Sequence, residues 1–93
     1  MNDPRRTKMQ IYIDILRAVQ KANGKMKKTH IVYKANLTHS RLGEYLNHLM
    51  SNEFITEQKM GTQTFYTITG KGEGFLNGVN KLKGIADAFG VPL

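Results

Sequence analysis

The hydrophobic period of this chain changes twice, and the order of the changes leaves few architectures open. Up to residue 52 apolar side chains recur every three or four positions; from Phe54 the period is that of a strand, and from Phe75 the helical spacing returns. The first helical segment covers residues 3–23, with Ile11, Ile15, Leu16, Val19 and Ala22 on one side. Asp3 before Pro4 reads as a cap followed by proline at the first helical position, and Asn23-Gly24 as the stop. Lys25-Met26-Lys27-Lys28 is too polar for core and suits a short connecting strand. A second helix runs from Lys28 or Thr29 to residue 35, with Ile31, Val32 and Ala35 inward. Asn36-Leu37-Thr38 interrupts it: Asn tolerates turn conformations, Leu37 plugs the core and Thr38 caps the next helix. That third helix covers residues 39–52, with Leu42, Tyr45, Leu46, Leu49 and Met50 on one face. Two segments rich in β-branched and aromatic residues, 54–59 and 64–68, flank Met60-Gly61-Thr62 and read as a hairpin with Tyr66 and Ile68 on one face. Thr69 can cap a last helix, whose start Gly70, Gly72 and Gly74 loosen. Phe75, Val79, Leu82, Ala86 and Phe89 then recur at spacings of 4, 3, 4 and 3 before Gly90 and Pro92 end it. Helix, helix, helix, hairpin, helix is an α+β plan.

At 93 residues there is room for one domain and one modest core. We therefore expect residues 1–93 to form a single unit, with residues 75–93 as its C-terminal helix. No apolar run is long enough to span a bilayer, and the start, MNDPRRTKMQ, lacks the apolar segment of a signal peptide. A cytoplasmic, nucleoid-associated protein is expected. The absence of Cys removes disulfides, thiolate zinc sites and thiol nucleophiles together.

The net charge of +7 is informative through its placement. Residues 1–34 hold Arg5, Arg6, Lys8, Arg17, Lys21, Lys25, Lys27, Lys28 and Lys34 against Asp3 and Asp14, so the whole excess lies in the first third. A concentrated positive field attracts a polyanion through steering and counterion release. Membrane binding would want aromatic anchors on a basic helix, and the chain has no Trp.

Two helices joined by a three-residue turn have the spacing of a helix-turn-helix. The stretch Lys28-Thr29-His30-Ile31-Val32-Tyr33-Lys34-Ala35-Asn36-Leu37-Thr38 resembles the second helix and turn of small archaeal winged-helix DNA-binding proteins and of short archaeal predicted transcriptional regulators related to them. Tyr45-Leu46 with Leu49-Met50, Phe54-Ile55, and Tyr66-Thr67-Ile68-Thr69 with Lys71-Gly72 extend the resemblance over residues 8–77. It implies a winged helix-turn-helix that binds double-stranded DNA without a cofactor, and a homodimer made through the C-terminal helix.

In such a fold the third helix enters the major groove and its outward side chains meet base edges. With the apolar face inward, the outward set is His39, Ser40, Arg41, Glu44, Asn47 and His48. Arg41 suits a bidentate contact to guanine and Asn47 one to adenine, while His39 and Ser40 can donate to bases or phosphate. Glu44 repels phosphate unless it accepts from a cytosine amino group, so it points to sequence preference or to a shallower docking angle. Lys27, Lys28, Thr29 and Lys34, with His48, are candidates for the phosphate backbone. Tyr33 either hydrogen-bonds a phosphate or packs half-buried. Arg5, Arg6 and Lys8 form a basic arm or frayed, solvated turns. Lys59, Thr62 and Gln63 are the polar groups of the wing.

No catalytic constellation is present, and no enzyme activity, cofactor or small-molecule ligand is expected. The acidic residues are scattered, and the glycines at 70, 72 and 74 come after a polar turn rather than a buried strand. His39 and His48, nine positions apart at about 100° each, point to opposite faces, and His30 lies on another helix, so no metal site is expected. The apolar stripe of the last helix divides, on this reading, between the domain and a partner copy. Val79, Leu82, Ile85, Ala86 and Phe89 are the candidate dimer residues. The expected function is that of a DNA-binding transcriptional regulator. The alternatives are an abundant chromatin-type protein with little sequence preference, and a winged-helix module that binds protein.

Overall fold

The structure, a computed structural model, describes residues 6–23 and 25–92. In chain order it contains α1 (Lys8–Lys21), β1 (Met26–Lys27), α2 (Lys28–Ala35), α3 (His39–Ser51), β2 (Ile55–Met60), β3 (Gln63–Ile68) and α4 (Gly70–Ala88). The strands form one antiparallel sheet in the order β1-β3-β2, with Met26 opposite Tyr66 and Ile55 opposite Ile68. The helices bury one continuous apolar core against it: Ile11, Ile15, Leu16 and Val19 of α1, Ile31 and Ala35 of α2, and Leu42, Leu46 and Leu49 of α3 meet Ile55 and Leu76. Among the described residues no polar side chain is buried there, so the core rests on area removed from water rather than on internal ion pairs.

Helix ends set the path of the chain. α1 starts at Lys8 rather than near residue 3, because Thr7 and Gln10 form a capping box: each side chain accepts from the other's backbone N–H and satisfies an orphan donor. Asp3 and Pro4 lie outside the described residues, as does Gly24; Asn23 itself takes the left-handed conformation, at φ 59°. α2, α3 and α4 end alike. Asn36, Glu53 and Gly90 have positive φ, and the next residue's N–H reaches back five positions: Leu37 to Val32, Phe54 to Leu49, Val91 to Ala86. In each case an apolar residue (Leu37, Phe54 or Val91) comes directly after the left-handed one. That device sets the three-residue turn between α2 and α3, where Leu37 is buried and Thr38 accepts from the Arg41 N–H to start the next helix.

Three sequence expectations are corrected. Met26 is core, 7% exposed, because pairing with β3 turns it inward. The hairpin loop is two residues, Gly61 and Thr62, with Gly61 at φ 64° where a tight loop needs it. The last helix begins at Gly70, directly after the Thr69 cap, and not at Phe75. Its apparent looseness is a packing requirement, since a Cβ on Gly72 would stand 2.4 Å from the Phe54 carbonyl oxygen. The first half of α4 sits on the domain through Leu76 and through Phe75, which stacks on Phe54 at 5.0 Å between centroids. The second half projects, and the molecule measures 49 × 29 × 21 Å.

Candidate nucleic-acid interface

The outer face of α3 is polar because every apolar residue of that helix except Met50 is needed inside. Leu42, Tyr45, Leu46 and Leu49 are buried, which turns His39, Ser40, Arg41, Glu44, Asn47 and His48 to solvent. Arg41 is held along the helix: its Nη2 donates to the Tyr45 hydroxyl at 3.3 Å, and its guanidinium lies 5.9 Å from that ring's centroid. Tyr45 packs edge-on against Tyr12 of α1 at 5.0 Å, and Tyr12 approaches His48 at 6.3 Å. The rotamer of Arg41 is therefore tied through two aromatic rings to the first helix.

This brings in residues that local sequence patterns do not assign to the site. Lys8 and Tyr12 of α1 line a shallow cleft of about 380 Å³ with Glu44, Tyr45, Asn47 and His48 of α3. Lys8 thus stands beside the outer face of α3 rather than in an N-terminal arm. Arg6 is neither arm nor frayed turn. Its Nη1 donates to Asp14 Oδ2 at 2.9 Å and to the Ala35 carbonyl at 2.7 Å, and its Nη2 to the Asn36 carbonyl at 3.1 Å. It thereby clasps the end of α2 to α1, just where the turn begins. Arg5 lies outside the described residues.

On the other flank, Lys28 reaches over the start of α3. A Cβ on Gly43 would stand 3.7 Å from the Lys28 Nζ, an ordinary van der Waals contact. Lys27 is half-buried with its ammonium 5.9 Å above the Phe65 ring, which anchors it at the base of the hairpin. Thr29, His30 and Lys34 lie along α2, all three exposed. Tyr33 is 88% exposed, which overturns the packing alternative and leaves an aromatic hydroxyl standing in solvent on a basic helix. Lys59, Thr62 and Gln63 are exposed at the end of the β2–β3 hairpin, whose base leaves directly from the end of α3. Across the hairpin, Tyr66 donates to Glu57 Oε2 at 3.1 Å, and burial together with that carboxylate raises its phenol pKa. A second rung joins the Thr56 and Thr67 hydroxyls at 2.7 Å. The strands are thus pinned on both faces behind an exposed tip.

A two-helix turn, a third helix with a free polar face and a hairpin behind it are the parts of one known arrangement. The winged helix-turn-helix family matches residues 5–87 of the sequence. The chain belongs to that family. A relative in the archaeon Methanocaldococcus jannaschii, an uncharacterised protein, is 38% identical over 78 residues; these make up 84% of this chain and 34% of that protein, so the winged helix spans about a third of the relative's length. Among solved structures, Sso10a-2 of Sulfolobus solfataricus, described as a DNA-binding protein, superposes with a TM-score of 0.76 at 24% identity over 90% of this chain and 85% of its own. The reduced form of the transcriptional regulator YodB of Bacillus subtilis superposes with a TM-score of 0.74 at 20% identity, covering 96% and 95% of the two chains. The winged-helix architecture expected from the sequence is the one found. No described helix is long and apolar enough to cross a membrane.

Proposed function

We propose that this winged helix binds double-stranded DNA as a transcriptional regulator, without catalysis, and pairs as a homodimer through α4. The observation that carries the reading is the outer face of α3, polar along its length and flanked by Lys28 on one edge and Lys8 on the other. A helix so presented fits the major groove, where Arg41, Asn47, Ser40 and His39 meet base edges. Lys27, Lys28, Thr29, Tyr33, Lys34 and His48 take phosphates, which position the protein without reading sequence. Lys59, Thr62 and Gln63 follow the backbone from the wing. The concentration of the basic excess in residues 1–34 supports a polyanion as partner over a protein. YodB, a transcriptional regulator, and Sso10a-2, a DNA-binding protein, share the fold and support the same reading.

Glu44 favours sequence preference over general packaging. A carboxylate in the middle of the groove-facing surface weakens binding to any phosphate-lined path, and it gains only where a cytosine amino group faces it. The test is binding to a mixed-sequence duplex as a function of salt, with wild type beside Arg41→Ala and the double variant Lys27→Ala/Lys28→Ala. Four to five cationic contacts per chain contribute about −4 to −5 to the log–log slope, so a dimer engaging both faces shows about −8 to −10. The double variant lowers the slope by about 2 per engaged chain, and Arg41→Ala loses sequence preference with the slope reduced by about 1 per chain at most. Absence of binding at about 50 mM salt, where counterion release is strongest, refutes the proposal.

A further inference from the structure

On the inner face of α3 the buried side chains are Leu42, Leu46, Leu49 and one aromatic residue, Tyr45, which is 6% exposed. Its ring fills the core as a phenylalanine would; only the hydroxyl adds something. The helix fixes where that hydroxyl ends. Arg41 precedes Tyr45 by four positions and stands about 40° from it around the axis, at the edge of the outer face. There the hydroxyl accepts from Arg41 Nη2 at 3.3 Å, and the guanidinium lies 5.9 Å from the ring centroid. The backbone N–H of the same arginine donates to Thr38 Oγ1 at 3.2 Å, so the residue is held at both ends. Tyr45 is held in turn. Its ring meets Tyr12 edge-on at 5.0 Å with an interplanar angle of 75°, and Tyr12 is half-buried against the core from α1.

Reading a base edge costs a flexible arginine its rotamer freedom, and an arginine held before the duplex arrives has less to lose. The guanidinium has five N–H donors; the bond to Tyr45 takes one, and a guanine edge asks for two. The gain is confined to the base pair that Arg41 meets, since Lys27 and Lys28 are placed from the other edge of α3, by Phe65 and beside Gly43. We infer that Tyr45 is a specificity-determining positioning residue: its hydroxyl, with the ring held by Tyr12, sets the guanidinium of Arg41 for one base pair. α1 thereby shares in reading the duplex without touching a base. The inference rests on the DNA-binding function proposed above and assigns part of its selectivity to a buried side chain.

A pool of random-sequence duplexes, selected by wild type and by each variant and then sequenced, reports preference one base pair at a time. Arg41→Ala flattens the preference at one position. Tyr45→Phe, which keeps the ring and the core, lowers it at that same position by about threefold to tenfold and leaves the others as they are. Tyr12→Leu acts at that position too. In the Arg41→Ala background Tyr45→Phe changes nothing further, the mark of a residue that acts through the arginine. Tyr45→Phe removes no cation, so its salt slope equals that of wild type. In the free protein the heteronuclear NOE of the Arg41 Nε–Hε group falls in Tyr45→Phe, while far-UV circular dichroism is unchanged. An unaltered NOE overturns the positioning with no DNA present. A preference unchanged at the Arg41 position, or one that declines evenly at every position as in a loosened domain, overturns the specificity. Full preference in Tyr12→Leu overturns the share given to α1. A wild type that enriches no motif refutes the regulator reading and the specificity assigned here together, whereas an enriched motif indifferent to Tyr45→Phe refutes this inference alone.

Discussion

At the scale of single residues, several positions are decided by one contact. Gly72 is the sharpest, since a Cβ would meet the Phe54 carbonyl oxygen at 2.4 Å and Ile68 Cγ1 at 2.8 Å, and backbone does not give way as a side chain does. Gly84, in the same helix, has nothing within 4 Å of the equivalent point. Urea denaturation of Gly72→Ala therefore shows a loss of about 1–3 kcal/mol from overpacking. Gly84→Ala gains about 0.5–1 kcal/mol from helix propensity and reduced backbone entropy. Equal effects at the two sites would contradict the packing described. Arg6 is decided by geometry of another kind: its fork serves Asp14 and two carbonyls at the end of α2, with its side chain 14% exposed. Charge-assisted bonds in that setting are worth about 1.5–3 kcal/mol, so Arg6→Ala costs on that order. Arg6→Lys, lacking the planar fork, recovers little of it; full recovery would reduce the clasp to a simple ion pair. The arginine's partners lie 8, 29 and 30 positions away, which is why the local sequence reads it as a solvated arm.

Elements are legible in the sequence where a period can develop. The four helices announce themselves through apolar spacing, and the outer face of α3 follows from its inner one by subtraction. β1, two residues long, has no period to read, and its Met26 looks polar by the company of its lysines. The starts of α1 and α4 are obscured by competing local signals: Asp3-Pro4 against the Thr7–Gln10 box, and helix-breaking glycines against a Thr69 cap and close packing. Lys8 and Tyr12 join the site only through the packing of α1 beside α3, which no local pattern encodes. Two predictions belong here. Thr38→Ala removes the cap that positions the first turn of α3, costing about 1 kcal/mol of stability. It also weakens duplex binding severalfold; unchanged binding would separate the α3 start from recognition. In the hairpin, Tyr66 has a folded-state pKa above that of the unfolded chain, through burial first and then Glu57. Its contribution to stability is complete below the ordinary phenol value of about 10 and is lost as pH climbs through the raised one. Thermal denaturation of Tyr66→Phe across alkaline pH shows a flatter decline than wild type; parallel curves would show that another group carries the alkaline loss.

The whole molecule is electrically divided. Its positive excess comes from residues 1–34, which in the fold are α1, β1 and α2 around the start of α3, whereas residues 61–93 contribute three lysines against Glu73 and Asp87. On the proposed function, the basic end meets the polyanion and the nearly neutral α4 meets another copy with little like-charge repulsion. Joining two such molecules through α4 sets two recognition helices on one assembly, the arrangement that reads half-sites about 34 Å apart along the duplex. The consequence is measurable without knowing the target sequence. Counterion release counts phosphates per binding event, so a dimer engaging both faces has a log–log salt slope of about −8 to −10, and a single chain half of that. Leu82→Glu, which touches no residue of the DNA face, should therefore halve the slope on a mixed-sequence duplex long enough for both halves while the protein remains folded. A slope that stays near about −4 to −5 in wild type and variant alike would mean that chains bind DNA one at a time, whatever they do in free solution. Because the variant alters charge far from α3, a change in slope reports how many faces engage, and a uniform loss of affinity at constant slope would instead report damage to the domain.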